Sequence, residues 1–201
     1  MEISEKEKEA LKFLSSDFNQ CFQQMRHYDS QITLILKFMF TAYTALIGIA
    51  LGLYQFGLKE QKDFSTPASF ALTIGLIIGL FMFSLTVRNR VYFVQVARYI
   101  NEQRGFFLKF SPIGFGNFSK MYTNLQQPPY FNWRSSHTWL YGIIATLNST
   151  LLIVLLYILE YDWIILAFCS SLLVLIQMSC GILYLRSRES KSASKAVFGR
   201  E

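Results

Sequence analysis

Charge spacing constrains this chain more than any other feature. Four windows, residues 38–58, 64–87, 135–159 and 163–185, contain no Asp, Glu, Lys or Arg. Each is longer than the roughly 20 residues that a helix needs to cross about 30 Å of hydrocarbon. Buried helices of water-soluble proteins seldom keep every face uncharged over such lengths. Only 16% of residues are charged, against about 25% in an ordinary soluble domain. The expected fold is therefore all-α: an integral membrane protein whose four transmembrane helices form two hairpins, with cytosolic N-terminal and central amphipathic helices. The corresponding division is a cytosolic amphipathic helix at 1–36, a first hairpin at 37–87, a cytosolic helix and aromatic loop at 88–134, a second hairpin at 135–185 and a basic cytosolic tail at 186–201.

Lysine and arginine bias a loop toward the cytoplasm, and seventeen of the nineteen lie before the first window, between the second and third, or after the fourth. Only Lys59 and Lys62 fall on the other side. Both termini and the central segment are expected on the cytoplasmic side, with short external loops at 59–63 and 160–162. The net charge of +6 then belongs to the inner surface and suits anionic lipid better than nucleic acid, so no direct nucleic-acid binding is expected. Tyr54, Tyr157, Tyr161 and Trp163 are placed to mark the outer interface, and Tyr92, Trp133, Trp139 and Tyr184 the inner one. The first residues, MEISEKEKEA, lack the apolar core of a signal peptide, so the first span is expected to act as the targeting signal.

Residues 88–109, RNRVYFVQVARYINEQRGFFLK, join the two hydrophobic halves and carry most of the distinctive polar chemistry. They follow an apolar window without an intervening glycine or proline, which predicts one helix continuing out of the membrane. Arg98, Glu102 and Arg104 on this helix are the partner-binding candidates. An internal Arg98–Glu102 pair, one turn apart, is the plainer reading of the same residues. Over residues 5–35, Leu11, Leu14, Phe18, Cys21, Met25, Tyr28, Ile32 and Ile35 recur at steps of three and four. That seam is suited to pairing with another subunit or, as favoured here, to packing on the 88–109 helix of its own chain.

Gly48 and Gly52 in the first window and Gly75 and Gly79 in the second leave strips without bulk, which makes them the helix-packing candidates for a tight hairpin. Asn148 and Gln177 are the intramembrane polar candidates. Facing lipid, each would leave strong donors and acceptors unpaired, so both are expected to turn toward other helices and hydrogen-bond there. The segment 110–133 is too rich in Pro, Gly and Asn for one helix and too aromatic for a free linker. Within it Gly114-Phe115-Gly116 is too short for a phosphate loop, and Pro128-Pro129 reads as a rigid turn rather than a presented ligand.

No catalytic, cofactor-binding or metal-binding constellation is legible, and an enzyme is not expected. No acid lies inside a window, which argues against proton-coupled transport. His27 and His137 are isolated and read as interfacial polar residues. Cys21, Cys169 and Cys180 are too scattered to pair within one chain. In its layout, a charged amphipathic N-terminal helix, a tight hairpin, the RNRVYFVQVARYINEQRGFFL helix and a second hairpin ending in a basic tail, the chain resembles the small multispan membrane proteins of bacterial antiphage defence systems, such as the Kiwa membrane subunit. The resemblance carries no functional residues across. It implies an inner-membrane homo-oligomer, with a tetramer as one form, that senses envelope or phage events and works with a cytosolic effector. The competing expectation is an oligomeric pore or depolarising effector in which Asn148 and Gln177 line the conduit.

Overall fold

The structure is a computed structural model, and it describes residues 4–109, 117–118 and 122–191. Gly114, Phe115, Gly116 and most of the basic tail lie outside the described residues. Among the described residues the chain is all-α and has no strand. Its helices are α1 (Glu5–Glu60), α2 (Ser65–Leu108), α3 (Ser136–Ile158) and α4 (Trp163–Lys191). All four are long and apolar enough to cross a membrane. The stretch 88–109 belongs to the same helix as the second uncharged window, and residues 5–35 to the same helix as the first.

Local chemistry sets the helix ends. Ser4 and Glu7 form a capping box: the Ser4 N–H and hydroxyl each donate to Glu7 Oε2 at 2.8 Å, and the Glu7 N–H donates to Ser4 Oγ at 3.3 Å. These bonds hold the Glu7 carboxyl below its ordinary range and satisfy first-turn amides that have no helical partner. Asp63 opens α2 in a related way, accepting from the Ser65 N–H at 2.8 Å and the Ser65 hydroxyl at 2.5 Å. Helix α1 stops where Gln61 adopts a left-handed φ of 53° and the Lys62 N–H returns to the Gly57 carbonyl at 2.9 Å. Glu160, at φ 58°, ends α3 likewise, with the Tyr161 N–H on the Leu156 carbonyl at 3.1 Å. Both are left-handed helix stops made without glycine.

The chain divides into two compact units. The apolar unit comprises Ile32–Arg88 and Phe131–Leu185; the polar unit comprises Met1–Gln31, Asn89–Tyr130 and Arg186–Glu201. In the apolar unit α3 is the most enclosed helix over its apolar stretch. Its Ile144, Ala145, Leu151 and Ile158 are buried, together with Met39, Tyr43 and Ala50 of α1 and Leu72 and Phe83 of α2. Large apolar side chains remain exposed on the outer faces, among them Ile49, Phe56, Phe70, Phe81, Phe168 and Leu183. So much uncovered apolar surface suits a hydrocarbon surrounding and not water. At one end of the unit Tyr54 sits edge-on to Tyr157 at 5.9 Å and donates to Glu160 at 3.3 Å, with Tyr161 and Trp163 exposed nearby in sequence.

In the polar unit the apolar seam of α1 meets α2 of the same chain. Phe18 stands edge-on to Phe107 at 6.1 Å and Tyr28 stacks on Tyr92 at 5.7 Å, while Cys21 is 7% exposed. A carboxylate lies in this contact: Tyr99 Oη donates to Asp17 Oδ2 at 2.9 Å and Gln103 Nε2 donates to the same oxygen at 2.6 Å. Burial, and then the bond to Asp17, push the Tyr99 phenol above its ordinary value. Burial also pushes the Cys21 thiol up, and the Asp17 charge adds to the shift. Cys21 packs here as a small buried apolar side chain.

Candidate functional site

The polar unit contains a clasp whose residues come from α2, α4 and the irregular run 124–130. On α2, Arg90, Val94, Arg98 and Asn101 recur at steps of four, four and three, so they line one stripe of the helix. All four are buried. The run opposite them has few backbone partners, so its carbonyls need donors from elsewhere. Side chains supply them. Asn101 Nδ2 donates to the carbonyls of Asn124 at 3.1 Å and Gln127 at 2.8 Å. Arg98 Nε donates to the Pro128 carbonyl at 3.1 Å, and Arg90 donates to those of Pro129 at 2.9 Å and Tyr130 at 3.2 Å. Proline suits this run, because its missing N–H leaves only a carbonyl to satisfy.

Arg98 is the centre of the clasp. Its Nη2 pairs with Glu189 Oε1 of α4 at 2.5 Å, and its guanidinium lies 4.7 Å from the centre of the Tyr130 ring. Glu189 Oε2 accepts the Tyr130 N–H at 2.8 Å, closing a ring of contacts. The Arg98 side chain is 7% exposed and that of Glu189 42%. Because the carboxylate keeps part of its hydration, the pair avoids the full cost of desolvating both ions. One planar fork serves a carbonyl, a carboxylate and an aromatic face together, which a lysine ammonium does not do.

The partner-binding candidates Arg98, Glu102 and Arg104 do not form one exposed face. Arg98 is taken up by the clasp and pairs with Glu189, not with Glu102. Glu102 is exposed. Arg104 reaches back to α1, with its guanidinium 6.0 Å from the Phe18 ring and 5.8 Å from Phe22, and it donates to the Tyr122 carbonyl at 3.2 Å. Helical spacing places Arg98 and Glu102 one turn apart, but it cannot show that the 124–130 run and the end of α4 compete for Arg98. Arg90, Tyr130 and Glu189 carry as much of the clasp as Arg98. The signal for Arg90 was present in the sequence, since it lies two turns before Arg98 on the same stripe.

The apolar unit holds a second polar cluster, at its centre. Tyr43 Oη of α1 donates to Asn148 Oδ1 of α3 at 2.7 Å and lies 3.3 Å from the Gly75 carbonyl of α2. Asn148 Nδ2 donates to Gln177 Oε1 of α4 at 2.7 Å, and Gln177 Nε2 reaches the Leu173 carbonyl at 3.3 Å. Asn148 is 0% exposed and Gln177 5%. A single chain therefore satisfies both amides, and the network touches all four helices. Ser149 Oγ, donating to the Ser170 carbonyl at 2.8 Å, ties α3 to α4 again.

The four glycines separate into two kinds. Gly75 and Gly79 are the seat of this network: a Cβ on Gly79 would run into Tyr43 Oη and Asn148 Oδ1, and one on Gly75 into Leu46. Gly48 and Gly52 have no neighbour within 4 Å of such an atom and are exposed. The expected strip-to-strip contact between the first two windows is therefore absent within the chain. The strip on α2 instead receives Tyr43 and Asn148, which are large, and the strip on α1 points away. Tyr43 carried no polar-periodicity signal, which is why the sequence did not show it as a member.

No family model, curated protein or solved structure matches the chain. Function therefore rests on these two clusters and on the chemistry around them. Among the described residues no three of His, Cys, Asp and Glu gather closely enough to hold a metal ion. His27 is exposed and hydrogen-bonds Gln31 at 2.8 Å, and His137 is 4% exposed at the start of α3. The three cysteines are all free thiols.

Proposed function

We propose that this chain is a membrane sensor or anchor subunit that engages a cytosolic effector protein. Its helices sit in the inner membrane as two hairpins with both termini cytoplasmic, the orientation favoured by the bias of basic residues. The polar unit is the effector-facing part. The observation that carries this reading is the Arg98 clasp, which spends two buried arginines and an asparagine on fixing a loop and a helix end outside the apolar windows. Rigid presentation of a surface is what a docking module requires. The homo-oligomeric state and the antiphage-defence setting come from the resemblance in sequence layout alone.

The satisfied amides favour a sensor or anchor over a pore. Asn148 and Gln177 bond each other and Tyr43 within one chain, so they need no water-filled lumen to explain them.

A two-variant experiment tests the docking role. The full chain is co-expressed with the product of the neighbouring gene and purified from membranes. Glu102→Lys, on the exposed side of α2, is expected to lose the co-purifying effector while membrane insertion is kept. Arg98→Lys reports on the clasp instead. Full retention of the effector by Glu102→Lys and by charge reversals at the other exposed acidic positions of the polar unit would refute the docking role.

A further inference from the structure

Within the apolar unit, α2 and α4 part to leave a groove of about 470 Å³, a size ordinary for small-ligand sites. Leu80, Phe83, Ser84 and Val87 form one wall and Ile176, Cys180 and Gly181 the other. Gly181 sets the floor, where an added Cβ would stand 3.3 Å from Phe83 and 3.5 Å from Val87. Gln177 bonds Asn148, which stands against Gly79, and Gly181 faces Phe83 and Val87, so α2 and α4 run in the same sense here, the lining spanning Leu80 to Arg88 on one and Ile176 to Tyr184 on the other. Eight residues of helix span about 12 Å, close to the depth of one leaflet at about 15 Å.

The groove is mostly apolar, with Ser84 and Gln177 as polar side chains along it, and the one charge among its described lining residues is Arg88, exposed at one end. Arg88 is also the first basic residue after the second uncharged window, so it marks the headgroup level of the inner leaflet. A fatty acyl chain suits the groove, and a phosphate suits the arginine at its mouth, where guanidinium and phosphate make paired charge-assisted hydrogen bonds. We infer that this groove is a specific site for an anionic glycerophospholipid of the cytoplasmic leaflet, with one acyl chain lying between α2 and α4 and its phosphate on Arg88. Phe81 and Leu183 on the same two helices, 71% and 66% exposed, present further apolar surface beside the lining residues. The inference rests on the membrane-embedded reading above and adds to it a lipid-dependent state for a sensor.

The test uses the full chain in detergent, titrated with phosphatidylglycerol and separately with phosphatidylcholine and followed by native mass spectrometry. Insertion is checked first by flotation of reconstituted vesicles, so a chain that fails to float refutes the membrane reading and not the site. The wild-type chain is expected to hold one phosphatidylglycerol about five- to tenfold more tightly than phosphatidylcholine. Arg88→Gln should abolish that preference while still binding lipid. Cys180→Leu, at an exposed position that leaves Gly181 untouched, should fill the groove and remove binding of both lipids. Equal wild-type affinity for the two lipids, an undiminished preference in Arg88→Gln, or undiminished binding in Cys180→Leu would each overturn the proposal.

Discussion

Adding one methyl group at Gly79 should cost far more than the same change at Gly48 or Gly52, although all four glycines look alike in the sequence. A Cβ at Gly79 collides with Tyr43 Oη and Asn148 Oδ1, and those two atoms form a 2.7 Å hydrogen bond. Neither side chain has room to retreat, since Asn148 is 0% and Tyr43 5% exposed. Overpacking of this kind costs about 1–3 kcal/mol. Displacing Asn148 also strains its bond to Gln177, and intramembrane bonds contribute about 0.6–1.7 kcal/mol each. Gly79→Ala is therefore expected to destabilise by about 2–5 kcal/mol. Gly48→Ala and Gly52→Ala meet nothing within 4 Å and gain helix propensity, so they should be neutral or stabilising by up to about 1 kcal/mol. Reversible unfolding in mixed micelles, followed by far-UV circular dichroism against added denaturing detergent, measures the difference. Equal stabilities for Gly79→Ala and Gly48→Ala would refute the placement of the Tyr43–Asn148–Gln177 network.

Three further outcomes follow from the polar unit and the helix ends. Arg98→Lys should speed amide exchange at Tyr130 about tenfold, because losing the planar fork weakens a charge-assisted contact by roughly 1.4 kcal/mol; Glu102→Lys should leave that exchange unchanged. The Tyr99 phenol is raised in the folded state, so the stability it contributes is fully present below the ordinary tyrosine value of about 10 and is lost as pH rises through the higher folded value. Tyr99→Phe should flatten that alkaline loss in a pH series of unfolding midpoints. Gln61→Gly should stabilise by about 0.5–1 kcal/mol, since the left-handed φ of 53° costs an L-residue about 1–2 kcal/mol and glycine returns part of this as chain entropy; an unchanged or lower unfolding midpoint would count against it.

The four helices were legible in the sequence because absence of charge over a full membrane width is a property of a window and needs no knowledge of neighbours. Asn148 and Gln177 stood out for a similar reason, an amide in an apolar run being costly wherever it points unless it is bonded. Which partners they would find was not legible, since Tyr43 lies 105 positions from Asn148 and looks like any aromatic in a span. The glycine strips show the same boundary: smallness reads directly, whereas what fills the space depends on how the helices are rotated. Arg98 shows it most clearly. Its chemistry marked it out, yet its carbonyl, carboxylate and ring partners come from residues 30 to 91 positions away, and helical periodicity reports only on neighbours within a turn or two.

The measurement that bears most directly on the central claim is a single-cysteine accessibility scan in intact cells, with Cys21, Cys169 and Cys180 replaced and one cysteine introduced at position 6, 62 or 102. A four-span protein with an inward-facing polar unit predicts that an impermeant maleimide labels position 62 from outside and reaches positions 6 and 102 only after the membrane is opened. Labelling of position 102 from outside, or protection of position 62 until the membrane is opened, would contradict it.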